Sequence, residues 1–277
     1  MNARPVVVGT DGSQESLLAV DWGAREARLR GTSLRIVSAA PMPPRMAALQ
    51  LRPERDTVAS FLRTNRDQAL GAAIARAAAI APDLRVDPIA LHEAPAPAVT
   101  QSGTHAALLV LGACGAGAFS AMMLGSVSRY AASHAACPVV IVRDQAGTVH
   151  RQIGVGVGDP DGCDGTLAFA FAEASLRRTG LTVLHAWQEP RTPAPRIAGV
   201  EDLETLLAPW RAKYPGVPVT GDVVHDHPAQ ALSGLCSRTQ LVIIGRHTRR
   251  PGPQGPGAIQ HAVLNHAHGP VAIVPLP

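Results

Sequence analysis

The second half of this chain repeats the first. Leu167, Phe171 and Ala174 stand at one constant offset from Val20, Ala24 and Ala27, and Leu181 to Ala186 keeps that offset from Leu34 to Ala39. Ile153 to Val157 matches the opening apolar run. Leu91 to Ala96 returns as Val224 to Ala229, Leu108 to Gly112 as Leu241 to Gly245, and Gly125 to Pro138 as Gly257 to Pro270. Self-similarity over so long a stretch means a duplicated domain, not a solenoid. Whatever fold forms must be one that half of the chain can build, and 277 residues suit two domains of ordinary size. We place them at 1–147 and 148–277, with Asp144 to Thr148 as a short linker.

The repeated unit alternates strand and helix. Val6-Val7-Val8 reads as a buried strand ending at Gly9. Thr10-Asp11-Gly12-Ser13 then turns the chain, with Ser13 as N-cap and Glu15 in the first turn of a helix. Leu17, Val20, Ala24 and Ala27 form its apolar face, and Gly31 ends it. Leu34 to Ala39 is the second strand. The long segment from Glu54 to Ala81 reads as helix, Leu84 to Leu91 as strand and Pro95 to His105 as a short helix. Alternation of this kind predicts an α/β fold: two tandem doubly wound domains, each an open five-stranded parallel sheet flanked by helices.

The stretch from Leu108 to Val142 carries the chemistry. After the apolar run Leu108 to Leu111 come Gly112, Gly115 and Gly117, which leave backbone N–H groups bare. Gly125-Ser126 opens a helix with Val127, Tyr130, Ala131 and His134 on one face. Cys137-Pro138 stops it, and Val139 to Val142 is another strand. Bare amides and a positive helix end together suit an oxyanion. Arg129, in the first turn, opposes the helix dipole by about 0.3–1 kcal/mol, and a bound anion would reverse that sign. The other reading of Arg129 is a solvated outer face.

The spacing Gly112-x2-Gly115-x9-Gly125-Ser126 resembles the nucleotide loop of the universal stress protein family, in its ATP-binding branch. The likeness extends over both halves. It implies an adenine nucleotide alpha hydrolase-like fold and ATP as ligand, with or without Mg. By that likeness Thr10 and Asp11 meet the adenosine end, and Ala39 meets adenine through its backbone. Gly112, Gly115, Gly117, Gly125, Ser126 and Val127 belong to the phosphate and ribose loop. A carboxylate suits a ribose hydroxyl or an adenine amine, and repels phosphate unless a metal intervenes. Asp11 taken alone reads as a turn residue, because Asp-Gly is a common turn dipeptide. Ser126 reads as an N-cap as well as a ligand. The place of Ala39 rests wholly on the resemblance.

Composition narrows the classes. Hydrophobic residues make up 46% and charged ones 17%, which marks a globular chain. No run of about 18 apolar residues is present, so no membrane span is expected. The opening segment is too short for a signal peptide, so a cytoplasmic protein is expected. The four cysteines show no C-x-x-C spacing, which leaves no zinc or disulfide framework. Cys114, inside the glycine loop, reads as a small filler. Net charge is +4, spread over arginines, and aromatics at 3% are too few for base-stacking platforms, so nucleic acid is not expected as a partner. No Lys stands in the glycine loop and no acid/base pair stands out, so no dedicated catalysis is expected. An ATP-hydrolysing or ATP-activating enzyme and a nucleotide-free dimeric scaffold are the alternatives to a nucleotide-responsive stress regulator.

The second half departs from the pattern. Thr248 replaces Gly115, Ala258 replaces Ser126, and the loop is one residue shorter. Pro251, Pro253 and Pro256 remove donors, although Arg249 and Arg250 bring charge. One ATP per chain, in the first domain, is therefore expected. Two further expectations concern assembly and the cleft. By the same resemblance the domains should pair through their last strands, Val139 to Val142 and Val271 to Val274, with a homodimer as a further option. The Pro41 to Pro53 loop is either a cover over the site or a surface connection.

Overall fold

The computed structural model describes residues 4–41, 53–115, 124–143, 152–158, 160, 162–188, 197, 199–246 and 257–275. The chain divides into two compact units, Met1–Cys137 and Pro138–Pro277. Gly117, most of the Pro41 to Pro53 loop, the Asp144 to Thr148 linker and the second-half loop with Thr248 to Pro256 lie outside the described residues.

The first unit holds β1 (Val6–Gly9), α1 (Gln14–Arg30), β2 (Leu34–Ala39), α2 (Pro53–Ile80), β3 (Val86–Leu91), α3 (Pro95–Ser102), β4 (Leu108–Gly112) and α4 (Ser126–His134). Its strands run in the order β3-β2-β1-β4, and its ladders are parallel. Val6, Val7 and Val8 are wholly buried, as both faces of a parallel sheet require. A Cβ on Gly23 of α1 would lie 2.4 Å from Val8, and one on Gly9 would lie 2.8 Å from Val99 of α3. Helices therefore press on opposite faces at contact distance. The Ser13 cap forms as expected, its Oγ accepting from the Ser16 N–H at 3.2 Å. Gly31 closes α1 in the left-handed region, at φ 62°.

The second unit holds β5 (Val139–Val142), β6 (Ile153–Val157), α5 (Asp164–Arg177), β7 (Leu181–Trp187), α6 (Val200–Lys213), β8 (Val219–His225), α7 (Pro228–Cys236), β9 (Leu241–Arg246), α8 (Ala258–His266) and β10 (Val271–Pro275). Its order is β8-β7-β6-β9-β10-β5. The ladders are parallel except the last. There β5 lies antiparallel to β10, with Val140 opposite Ala272. Each of these two strands is apolar and buried, and each covers an edge of the other.

The sequence reading differs from the structure in several details. Val139–Val142, expected as the fifth strand of the first domain, groups with the second unit. β3 begins at Val86 and α3 ends at Ser102, each shorter than expected, because turns at Ala81–Leu84 and Gly103–Ala106 take up the flanks. The buried face of α4 is Ser128, Ala131 and Ala132. Tyr130 and His134 lie outside and stack on one another with ring centroids 4.2 Å apart.

Candidate functional site

In an open parallel sheet the strand carboxyl ends carry the loops that meet ligands. In the first unit the β1 end is a tightly bonded turn. Thr10 N–H donates to Val37 O at 2.9 Å, and its buried hydroxyl accepts from the Gly12 N–H at 3.2 Å. Ser16 Oγ donates to Ser13 O at 2.9 Å, so the 3.0 Å contact between the two hydroxyls has Thr10 Oγ1 as donor. The Thr10 hydroxyl is thus committed within the turn. Gly12 sits at φ 82°, which a side chain resists.

Asp11 is exposed at the tip. Its Oδ1 accepts from both the N–H of Ser13, at 3.0 Å, and its hydroxyl, at 2.6 Å. The turn role read from Asp-Gly is therefore present. The other oxygen faces the glycine loop: a Cβ added to Gly115 would lie 2.4 Å from Asp11 Oδ2. Asp11 and Gly115, more than a hundred positions apart, are brought together by the fold. Gly112 is needed for a different reason. A Cβ there would lie 2.7 Å from the Glu15 carbonyl and 2.9 Å from Ser16 N, so the end of β4 runs directly against the first turn of α1.

Gly125 N–H donates to Ala113 O at 2.7 Å, and its carbonyl takes the Arg129 N–H at 2.9 Å. Gly125 is therefore the N-cap and Ser126 the first helical residue, which corrects the N-cap reading of Ser126. The Ser126 side chain is exposed, and Val127 is partly so. Among the described residues no side chain caps α4, which leaves its first amides to an outside acceptor. Ala39 is half-buried, paired with Leu91, and the next N–H, of Ala40, donates to Leu91 O at 3.1 Å. Ser128 was not singled out in the sequence. Its buried hydroxyl donates to Gly112 O at 2.6 Å and fixes the helix start on the strand end. A Ser two places beyond the Gly-Ser pair was the only available signal.

The second unit makes the same tie with another side chain. Gln260 Nε2 donates to Gly245 O at 2.6 Å, while Gln260 Oε1 accepts from the Gly257 N–H at 2.9 Å. The N-cap glycine N–H is thus held by a side chain here and by the Ala113 carbonyl in the first unit, and neither glycine has a side chain to cap the first-turn amides. His185, where the first unit has Ser38, is buried and bonds Val157 O at 3.0 Å through Nδ1. A carbonyl only accepts, so Nδ1 carries the proton.

Among the described residues no three His, Cys, Asp or Glu gather as a metal site, and no helix is long and apolar enough to cross a membrane. Residues 2–143 and 150–275 each match the Universal stress protein family. The chain is 32% identical over 292 residues to Universal stress protein Rv2005c of Mycobacterium tuberculosis, with 97% of this chain and 96% of the relative covered. It is 33% identical over 304 residues to Universal stress protein Rv1996 of the same organism, covering 98% and 95%. A crystal structure of a universal stress protein from Archaeoglobus fulgidus superposes with a TM-score of 0.70 at 15% identity, over 99% of this chain and 97% of that one. The chain belongs to the universal stress protein family, as a tandem of two such domains.

Proposed function

We propose that the first unit binds ATP between the Asp11 turn, the end of β2 at Ala39 and the glycine loop, and that the protein acts as a nucleotide-responsive stress regulator without dedicated catalysis. The observation that carries this reading is the contact of Asp11 with Gly115 beside an uncapped helix start. It sets a carboxylate suited to ribose next to open amides suited to phosphate. Asp11 Oδ1 is engaged by Ser13, which holds the carboxylate in place before any ligand arrives. A phosphate at the α4 start would gain from the helix dipole and would turn nearby Arg129 from an opposing charge into a partner. Mg is not required by any described carboxylate cluster; it would come with the triphosphate.

Mass spectrometry of nucleotide carried through purification tests the reading, followed by calorimetry with ATP. ATP binding that Gly115→Leu removes is the expected result. A purified protein with no nucleotide and no ATP affinity would favour the dimeric scaffold. Steady ATP turnover by the chain alone would favour the enzyme.

A further inference from the structure

The opposite end of the first sheet holds a cavity of about 610 Å³, lined among others by Arg28, Ser33, Arg35, Asp83, Arg85 and Asp87. Small-molecule sites commonly span roughly 300–1,000 Å³. The cavity sits below the amino ends of β1, β2 and β3, between the turn after α1 and the turn after α2. The Asp11 and Gly115 cluster is at the carboxyl ends, so the two places are separated by the length of the strands.

Three arginines reach this cavity from three elements: Arg28 from the last turns of α1, Arg35 from β2, and Arg85 from the approach to β3. Arg85 Nε donates to Asp87 Oδ1 at 3.1 Å. Asp87 is also the cross-strand partner of Arg35, yet it is taken by Arg85. Among the described residues no carboxylate pairs with Arg28 or Arg35. The Arg35 Nε is buried with no acceptor at all. That nitrogen is closed off from the cavity and anchors the guanidinium, and the terminal nitrogens of Arg35 are the ones left to meet a ligand.

We propose that this cavity is a second ligand site that binds a small phosphate-bearing molecule through Arg28, Arg35 and Arg85. One planar guanidinium fork satisfies a carboxylate, whereas a tetrahedral phosphate takes donors converging from several directions. Donors from three elements fit the second geometry. Asp83, Asp87 and the carbonyl ends of α1 and α2 add negative potential around the cavity. That potential disfavours long polyanions and selects a ligand with one or two phosphate groups.

Isothermal titration of the full chain with inorganic pyrophosphate tests the site. Gly115→Leu, which disables the glycine loop, retains this binding. Arg28→Gln combined with Arg35→Gln weakens it about tenfold or more, the loss expected for charge-assisted bonds. Hydrogen exchange of the wild type with pyrophosphate slows at residues 81–87. Should the double variant fail to fold by circular dichroism, Arg28→Gln alone, at an exposed helix position, carries the same comparison. Unchanged affinity in the arginine variants, loss of all binding in Gly115→Leu, or no protection at residues 81–87 would each overturn the proposal.

Discussion

Two glycines of the same loop are there for different physical reasons, and substitution separates them. At Gly112 an added methyl meets the backbone of α1, which cannot turn aside. Gly112→Ala is expected to lower stability by about 1–3 kcal/mol, read from urea unfolding. At Gly115 the added methyl meets the end of the Asp11 side chain, which can rotate away. Gly115→Ala should leave the midpoint almost unchanged while weakening ATP binding. Equal stability losses in the two variants would contradict this division. Cys236 is a third residue-scale case. Burial pushes its thiol up to about 12 from the ordinary 9.0. The unfolded chain releases that proton above about pH 9 while the folded chain retains it, so stability falls as pH rises from 9 toward 12. Iodoacetamide at pH 8 should leave Cys236 unmodified in the native protein and label it in urea. Native-state labelling would show that the burial is not maintained.

At the scale of the element, the duplication includes a charge pair that composition conceals. Glu26 bonds Arg30 within α1 at 2.7 Å, and at the matching place in α5 Glu173 bonds Arg177. Both glutamates are buried, at 3% and 2% exposure, so each needs a cationic partner, and its arginine supplies one. Glu26→Ala removes this buried bond and should cost about 1–3 kcal/mol. The midpoint of thermal unfolding measures it, and a loss below the error of the scan would make the pair a surface ornament. Asp21 makes a second tie, accepting two bonds at 2.7 Å from Arg76 and so joining α1 to α2. At the α4 start a side-chain bond, Ser128 to Gly112 O, ties the helix to the strand end beside the Gly125 to Ala113 backbone bond. Ser128→Ala should therefore raise the Kd for ATP more than it lowers stability, because it loosens the helix start that faces the ligand.

For the whole molecule, the two units share a plan and differ in the glycine loop and the residue that opens the next helix. Thr248 and Ala258 stand where the first unit has Gly115 and Ser126, and Pro251, Pro253 and Pro256 bring no N–H. Phosphate oxygens without donors in a partly dry cleft cost about 1–3 kcal/mol each, and two lost bonds weaken binding roughly a hundredfold or more. Calorimetry should accordingly give one ATP per chain. Two equivalent sites would defeat that expectation and would point to Arg249 and Arg250 as substitutes for the missing amides.

Duplication, strand and helix alternation, the Ser13 cap and the glycine spacing are all written in local sequence. They arise from interactions over a few residues, such as apolar period, turn chemistry and caps. The site is legible to the same extent: Asp11, Gly112, Gly115 and Gly125 stand out by type and spacing. Only the tertiary structure decided which of them touch. Gly112 is needed because of Glu15 and Ser16, nearly a hundred positions earlier, and Gly115 because of the Asp11 carboxylate. It moved the α4 cap from Ser126 to Gly125, because a carbonyl across the loop, that of Ala113, holds the glycine. Tertiary packing turned Tyr130 and His134 outward and put Ser128 inside, as the Gly112 carbonyl needed a donor. It also set β5 antiparallel to β10, a pairing that neither strand's own apolar run specifies. Local chemistry selects elements within a few residues. Close approach between distant backbones is set by how those elements pack, and there the need for a methyl's width of space outweighs every local preference.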